Sequence, residues 1–345
     1  MDRDILNEAY ERLRHAGPEW GEDTLTNHGP MAVEVLVRRG HADEVHGWLD
    51  AYIRRLDDLP APGDRVTGQN WPEALGDIRR IGDWTAYLTS AAGDQPWRDL
   101  LVTWWPRLLP GIAAGATHGV IRVSHAVRAL LAGDESPEAV TELAHGLAFW
   151  AARSTAVPGA AVPAGSLDAA EALAGVPRVA AQRGPVAARF GQLTATAGWS
   201  GSLAALRAPA GPEDTRAILA DLVTAATLAY GTHGHASPVL LVHTATAPNA
   251  VLHCLPALPT QLWSPSLAAV WAASAAITSG WAPGEAAPEP AADAADIVDR
   301  AAAHGDEHVI KFADTAAEVY DRTGDTRALG AALRAGELLP RVARQ

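Results

Sequence analysis

Lysine is almost missing from this chain. Of 27 lysines and arginines, only Lys311 is a lysine. That excludes a phosphate-cradling GxxxxGK[ST] loop, and no GxGxxG dinucleotide fingerprint is present either. Basic clusters are lacking beyond pairs such as Arg38–Arg39 and Arg79–Arg80, and the net charge is -13. A nucleic-acid or anionic-membrane partner needs a basic face, so neither is expected. Cysteine occurs once, as Cys254, which excludes an intramolecular disulfide and a thiolate metal cluster. No apolar run approaches the ~18 residues of a membrane span. The start, MDRDILNEAYERLRHAG, lacks the apolar core of a secretory signal. The expectation is a soluble cytoplasmic protein, and nothing in the sequence sets an oligomeric state.

Catalytic signatures are also scarce. There is no HExxH and no HD dipeptide, and GWSGS at 198–202 does not have the GxSxG spacing of a nucleophile elbow. His253 and Cys254 are adjacent, and neighbours on a helix do not face each other, so they do not read as a catalytic pair.

What the chain does have is helical period. Hydrophobic residues make up 48% and charged residues 19%, the balance of a globular protein. Segments such as PMAVEVLVRRG, WRDLLVTWWPRLL, HGVIRVSHAVRALLAG and TRAILADLVTAATLAYG repeat apolar residues at three-and-four spacing. Pro30 behind Asn27–Gly29 and the triplet Ser136-Pro137-Glu138 read as helix starts; Gly40 and Gly133 read as stops. Only PVLLVHT offers a short strand, and its downstream context fits a helix as well. The fold expected is all-α, a single compact multi-helix domain over 1–345. Its Pro/Gly/Ala-rich stretch 155–185 reads as a long loop or lid, and 281–292 as a second loop. Tryptophan, 12 residues against 3 Phe and 5 Tyr, reads mainly as core filler among alanines. Trp104 and Trp105 cannot face one core together, which leaves one of them available to a flat ligand.

The 13 histidines carry the chemistry. His15, His41, His46, His145, His253 and His304 read as surface or satisfied core residues, and His233 with His235 as a polar turn. His118 and His125 are seven residues apart, two helical turns, so they share a stripe about 10 Å apart along the axis. His308 and Lys311 are three apart and share a face. Two cations there would repel unless the histidine is neutral or the lysine has lost its charge. An ion pair with Glu307, four residues earlier, is the plain alternative for Lys311. His243 stands near Thr244 and Thr246, and His28 stands just ahead of the helix at Pro30.

Four of these segments occur in one order: NHGPM at 27–31, HGVIRVSHAVR at 118–128, His243-x-x-Thr246 before PNAV, and HVIK at 308–311 followed by Tyr320 and TGD at 323–325. Together they resemble the questin oxidase-like family. The resemblance runs from residue 27 to about 325 and leaves about 155–215 unmatched, a stretch that would shape a different substrate pocket. It implies an enzyme that inserts oxygen into, or cleaves, an aromatic polyketide ring of the anthraquinone type. It also implies a non-heme Fe(II) with O2 as cosubstrate, and raises the question of an external reductant. His118, His125, His243 and His308 would be the imidazole ligands, and Lys311, carboxylated on its amine, the anionic ligand. His28 and Thr246 would hydrogen-bond the ligands from behind, with His28 and His308 free to exchange roles. Arg122 would steady a substrate oxyanion or pair with a helix carboxylate. A carbamate supplies the oxygen donor that a protonated lysine lacks and that arginine has no route to. The rival readings are a helical zinc hydrolase with a histidine–carbamate site and a non-catalytic helical binding protein.

Overall fold

A computed structural model describes residues 2–22, 24–290 and 296–342. The fold is mostly α-helical. The only sheet among the described residues is a two-stranded hairpin pairing Glu19–Trp20 with Leu25–Thr26, strands too short for a periodic signal. The PVLLVHT segment forms a short helical turn, Pro238–Leu241, followed by a helix from His243.

The chain divides into two compact units. The first holds the residues up to Ala156 with Pro256–Leu258; the second holds Val157–Leu255 and Pro259–Val342. The sequence reading expected a single domain with 155–185 as a loop or lid; the boundary between the two units falls inside that stretch. That stretch is not wholly loop. It contains the helix Ala169–Ala174, started by a capping box between Asp168 and Glu171. It is also tied down by Gly165 N–H to Leu206 O (3.0 Å) and Leu167 N–H to Ala205 O (3.1 Å). The other loop begins after Trp281, where the helix Trp263–Trp281 ends; residues 291 and 292 lie outside the described residues.

In the first unit the helix Pro137–Ala152 is central. It packs against the helices Ile81–Asp94 and His118–Leu131, and the helix Gly29–Arg38 lies against His118–Leu131. Capping matches the sequence signals: Ser136 Oγ accepts from Ala139 N–H (3.2 Å), and Asn27 Oδ1 from Gly29 N–H (2.9 Å). Gly40 and Gly133 end their helices at φ +89° and +88°. Trp104 and Trp105 are both buried and turn to different partners. Trp104 meets Trp71 and Trp84 edge-on, each at 5.4 Å, whereas Trp105 meets Trp150 at 5.3 Å. Both are core residues.

In the second unit the helix Pro212–His233 packs against His243–Cys254, Trp263–Trp281, Arg327–Leu338 and the short Ala169–Ala174. The helix Glu307–Thr323 lies against Arg327–Leu338, Ile297–His304 and His243–Cys254. Pro248 sits inside the helix His243–Cys254 and has no N–H for the Thr244 carbonyl. Ser274 Oγ–H donates to that carbonyl instead, at 3.1 Å.

Close approach of the His118 and Trp150 helices depends on glycine. A Cβ on Gly119 would lie 2.8 Å from Trp150 Cβ and 2.9 Å from its Cα, and one on Gly146 would lie 3.2 Å from the Val123 amide. Gly119→Ala is expected to destabilise the protein by ~1–3 kcal/mol, because backbone must shift. Gly47→Ala, on an exposed helix position with nothing within 4 Å, should stabilise it slightly. Denaturant melts of the two variants check both directions.

Candidate functional site

The first unit prepares His118 with a strained turn. Gly115, Ala116 and Thr117 have φ of 53°, 55° and 76°, and two of them are not glycine. Left-handed backbone at such residues costs about 1–3 kcal/mol each and is retained where a side chain must be aimed. Here it turns the Gly115 carbonyl back onto His118 Nδ1. A carbonyl only accepts, so Nδ1 carries the proton and Nε2 presents a lone pair, the form in which an imidazole ligates a metal.

His28 reaches the same point from the loop before Gly29–Arg38. Its Nε2 lies 2.7 Å from His118 Nε2, with the rings edge-on at 78°. Only one proton fits between those atoms, and a cation satisfies both lone pairs. The loop is held firmly: His28 N–H donates to Tyr52 Oη (2.6 Å), and Asn27 Nδ2 to the Gly17 carbonyl (2.9 Å).

His125, expected as a ligand beside His118, meets a carboxylate. Its Nδ1 lies 2.7 Å from Glu34 Oε2, which also accepts from Arg128. Arg122 resolves to the carboxylate alternative, donating through Nε (2.6 Å) and Nη2 (2.8 Å) to the two oxygens of buried Glu142. The structure thus brings His28 to His118. Glu34 and Glu142 went unremarked in the sequence, although a glutamate inside the apolar run MAVEVLV is itself a sign of a buried partner.

The second unit gathers His243, His308 and Lys311. Asp306 caps the helix Glu307–Thr323, its Oδ1 accepting from His308 N–H (2.9 Å) and Val309 N–H (3.1 Å). The same oxygen lies 3.6 Å from His308 Nδ1. Burial pushes the Asp306 carboxyl up, and His308 with the two amides more than offsets that, holding it below the usual range. His308 stacks on His243 with ring centroids 6.0 Å apart. Thr246, expected to support a ligand, donates Oγ1–H to the Val242 carbonyl of its own helix (3.1 Å).

Lys311 lies one turn beyond His308 and is 3% exposed. Its Nζ has no hydrogen bond or ion pair among the described residues, so the pairing with Glu307 does not form. Burial lowers its pKa to about 7, against the weaker pull of Glu307 and Asp306. At neutral pH much of this amine is therefore uncharged and nucleophilic. In the first unit, His28 and His118 are buried imidazoles suited to hold a metal ion.

No family model matches the chain, and no curated protein matches it. No helix among the described residues is long and apolar enough to cross a membrane.

The lysine makes stability depend on pH. Its folded pKa of about 7 lies below the ordinary 10.5, so between those values the unfolded chain binds the extra proton. Stability then rises with pH across that window, by at most ~1.4 kcal/mol per pH unit. In CO2-free buffer, Lys311→Met should be more stable than the parent at pH 7, and the gap should close towards pH 10.5. Urea midpoints measured across that range decide it; a gap independent of pH would mean the buried amine does not titrate as argued.

Proposed function

We propose that the protein is a metal-dependent enzyme, and specifically a non-heme iron oxygenase acting on an aromatic polyketide of the anthraquinone type. The observation that carries the reading is Lys311. The chain's only lysine is buried, unpaired among the described residues, and one helical turn from His308. A neutral amine in that setting combines with CO2: an N–C bond forms, one N–H proton leaves, and the product is an anionic oxygen donor. Fixed imidazoles with a carboxylate-like group and an open position suit Fe(II).

His28 and His118 would serve the ion from the first unit, and His308, His243 and Lys311 from the second. That one ion draws on both sets rests on the order of the four motifs in the sequence. His125 keeps its place among the candidate ligands, since a carboxylate at Nδ1, here Glu34, is the usual support of a histidine that ligates through Nε2. Iron, when bound, supplies the activation of dioxygen that no flavin or nicotinamide motif in the chain provides. The protein's own residues keep the ligand tautomers fixed, with His118 Nδ1 on a carbonyl and His308 Nδ1 beside Asp306.

Metal analysis after anaerobic Fe(II) loading is the deciding experiment. About one iron per chain is expected, with oxygen uptake on addition of a hydroxyanthraquinone. Lys311→Ala should weaken iron retention by at least tenfold, with partial rescue by short carboxylates. Protein equilibrated with 13C-bicarbonate should show a carbamate signal that Lys311→Ala loses. No stoichiometric metal would sink the reading. Tight zinc without oxygen uptake would favour the hydrolase, and a Lys311→Arg variant indistinguishable from wild type would favour the binding protein.

A further inference from the structure

The second unit contains a cavity of ≈ 330 Å³ that the metal reading leaves unused. Its size is at the small end for pockets that take organic ligands. The walls are mainly small and apolar, with Ala170, Leu173, Ala174, Ala225, Ala229 and Leu241 among them. Two of these walls come from different parts of the chain. Ala170, Leu173 and Ala174 belong to the helix Ala169–Ala174, and Ala225 and Ala229 to the helix Pro212–His233. The first lies in the stretch 155–185, so that segment forms one side of a pocket.

Among the described residues, Arg178 is the fixed charge that lines this cavity. Arg178 Nη1 donates to the Val176 carbonyl, and its Nε is buried with no hydrogen-bond partner among the described residues. No carboxylate among the described residues pairs with it. Burial lowers its pKa from the ordinary value, and no acid opposes that push. Arg178 as a whole is half-buried, whereas the fully buried Arg122 has both oxygens of Glu142. Arginine does not escape its charge by losing a proton, so an unanswered guanidinium beside an apolar cavity is an unfavourable arrangement for the empty protein.

Other polar groups on the lining are already engaged in ways that orient them. Tyr230 Oη donates to the Pro238 carbonyl (3.1 Å), and Thr244 Oγ1 to the Leu241 carbonyl (2.7 Å). His233 sets Nδ1 beside the Thr232 hydroxyl (2.8 Å) and the Ala229 carbonyl (3.1 Å), with its ring on the pocket wall. The pocket therefore offers one strong cationic donor, one imidazole and a mainly apolar lining.

We propose that this cavity binds a compact apolar organic acid whose carboxylate or acidic phenol oxygen is held by Arg178. Arg178 supplies the charge and the alanine-lined walls supply the apolar contact. A small inorganic anion would leave the apolar walls wet, and a neutral hydrocarbon would leave the guanidinium unanswered. The proposal requires no metal and stands independently of the oxygenase reading.

The test uses the purified full chain, without added metal and again with Fe(II), and three probes in calorimetric titrations at pH 7: 2-naphthoate, 2-naphthamide and acetate. Naphthoate should bind at least tenfold more tightly than naphthamide, which has the same body without the charge, and acetate should bind weakly or not at all. Arg178→Leu should lose that preference. It should also raise the Tm of the ligand-free protein, which a structural arginine would not do. Ala229→Phe keeps Arg178 but fills the cavity, and should abolish naphthoate binding. Circular dichroism verifies that each variant folds, and the comparison of naphthoate with naphthamide needs no variant. Equal affinity for those two probes, no binding of naphthoate, or binding unchanged in Ala229→Phe would each overturn the proposal.

Discussion

The Lys311 amine lies in a helix interior where a positive charge has neither water nor a partner to stabilise it. The environment therefore selects the neutral form, and burial brings the pKa to about 7. Much of the second unit's design follows from holding that position dry. The helix Glu307–Thr323 is buried along most of its first three turns, from Glu307 to Ala317. Its N-terminus is closed by Asp306, which takes the two amide donors that would otherwise be left bare and sits beside His308. One carboxylate thus starts the helix and orients the imidazole that precedes the lysine by a turn.

The first unit answers its buried charges by pairing them. Glu34 is shared by His125 and Arg128, and Glu142 takes Arg122 in a two-pronged contact. Such pairs add little net stability over an apolar core, but removing one member strands the other. They hold the His118 helix in register with its neighbours, since Glu34 and Glu142 belong to the helices on either side of it. His118 itself is set by backbone rather than by charge. The left-handed turn at 115–117 aims a carbonyl at its Nδ1, and close helix packing at Gly119 fixes the next residue. Charge pairing along the helix and strain at its start act on one imidazole.

The helical fold was legible because three-and-four spacing and capping residues are local signals, and both sides of each signal lie in one short stretch. The strands at Glu19–Trp20 and Leu25–Thr26 escaped because two residues cannot show alternation. The boundary between the two units was not legible either, because histidines on both sides of the stretch 155–185 argued for one domain and no local signal marks position 156. Within the site, spacing placed His118 and His125 on one helix but could not name the groups that face them. What lies opposite a stripe changes every turn, and seven residues along the helix the facing group is Glu34. For Arg122 the sequence left two roles open because its partner, Glu142, is on another helix. Lys311 was legible for a different reason. In a chain that otherwise uses arginine for its fixed cations, a single lysine marks a site where a cation with a removable proton was kept.

Lys311 and Arg178 make that distinction physical, since both lie in the second unit, Lys311 buried and Arg178 half-buried, and neither has a carboxylate partner among the described residues. Burial has different consequences for the two side chains. A lysine relieves it internally, by giving up a proton and becoming a neutral nucleophile that a small electrophile such as CO2 can convert to an anion. An arginine keeps its charge at every accessible pH, so relief has to come from outside, as an anion brought by a ligand. The lysine position is therefore suited to building a permanent part of a site, and the arginine position to recognising something that arrives and leaves. Exchanging the two residue types would defeat both roles. Lysine at 178 would discharge rather than wait for a ligand, and arginine at 311 would leave a fixed cation where the neighbouring imidazole needs an anionic or neutral companion.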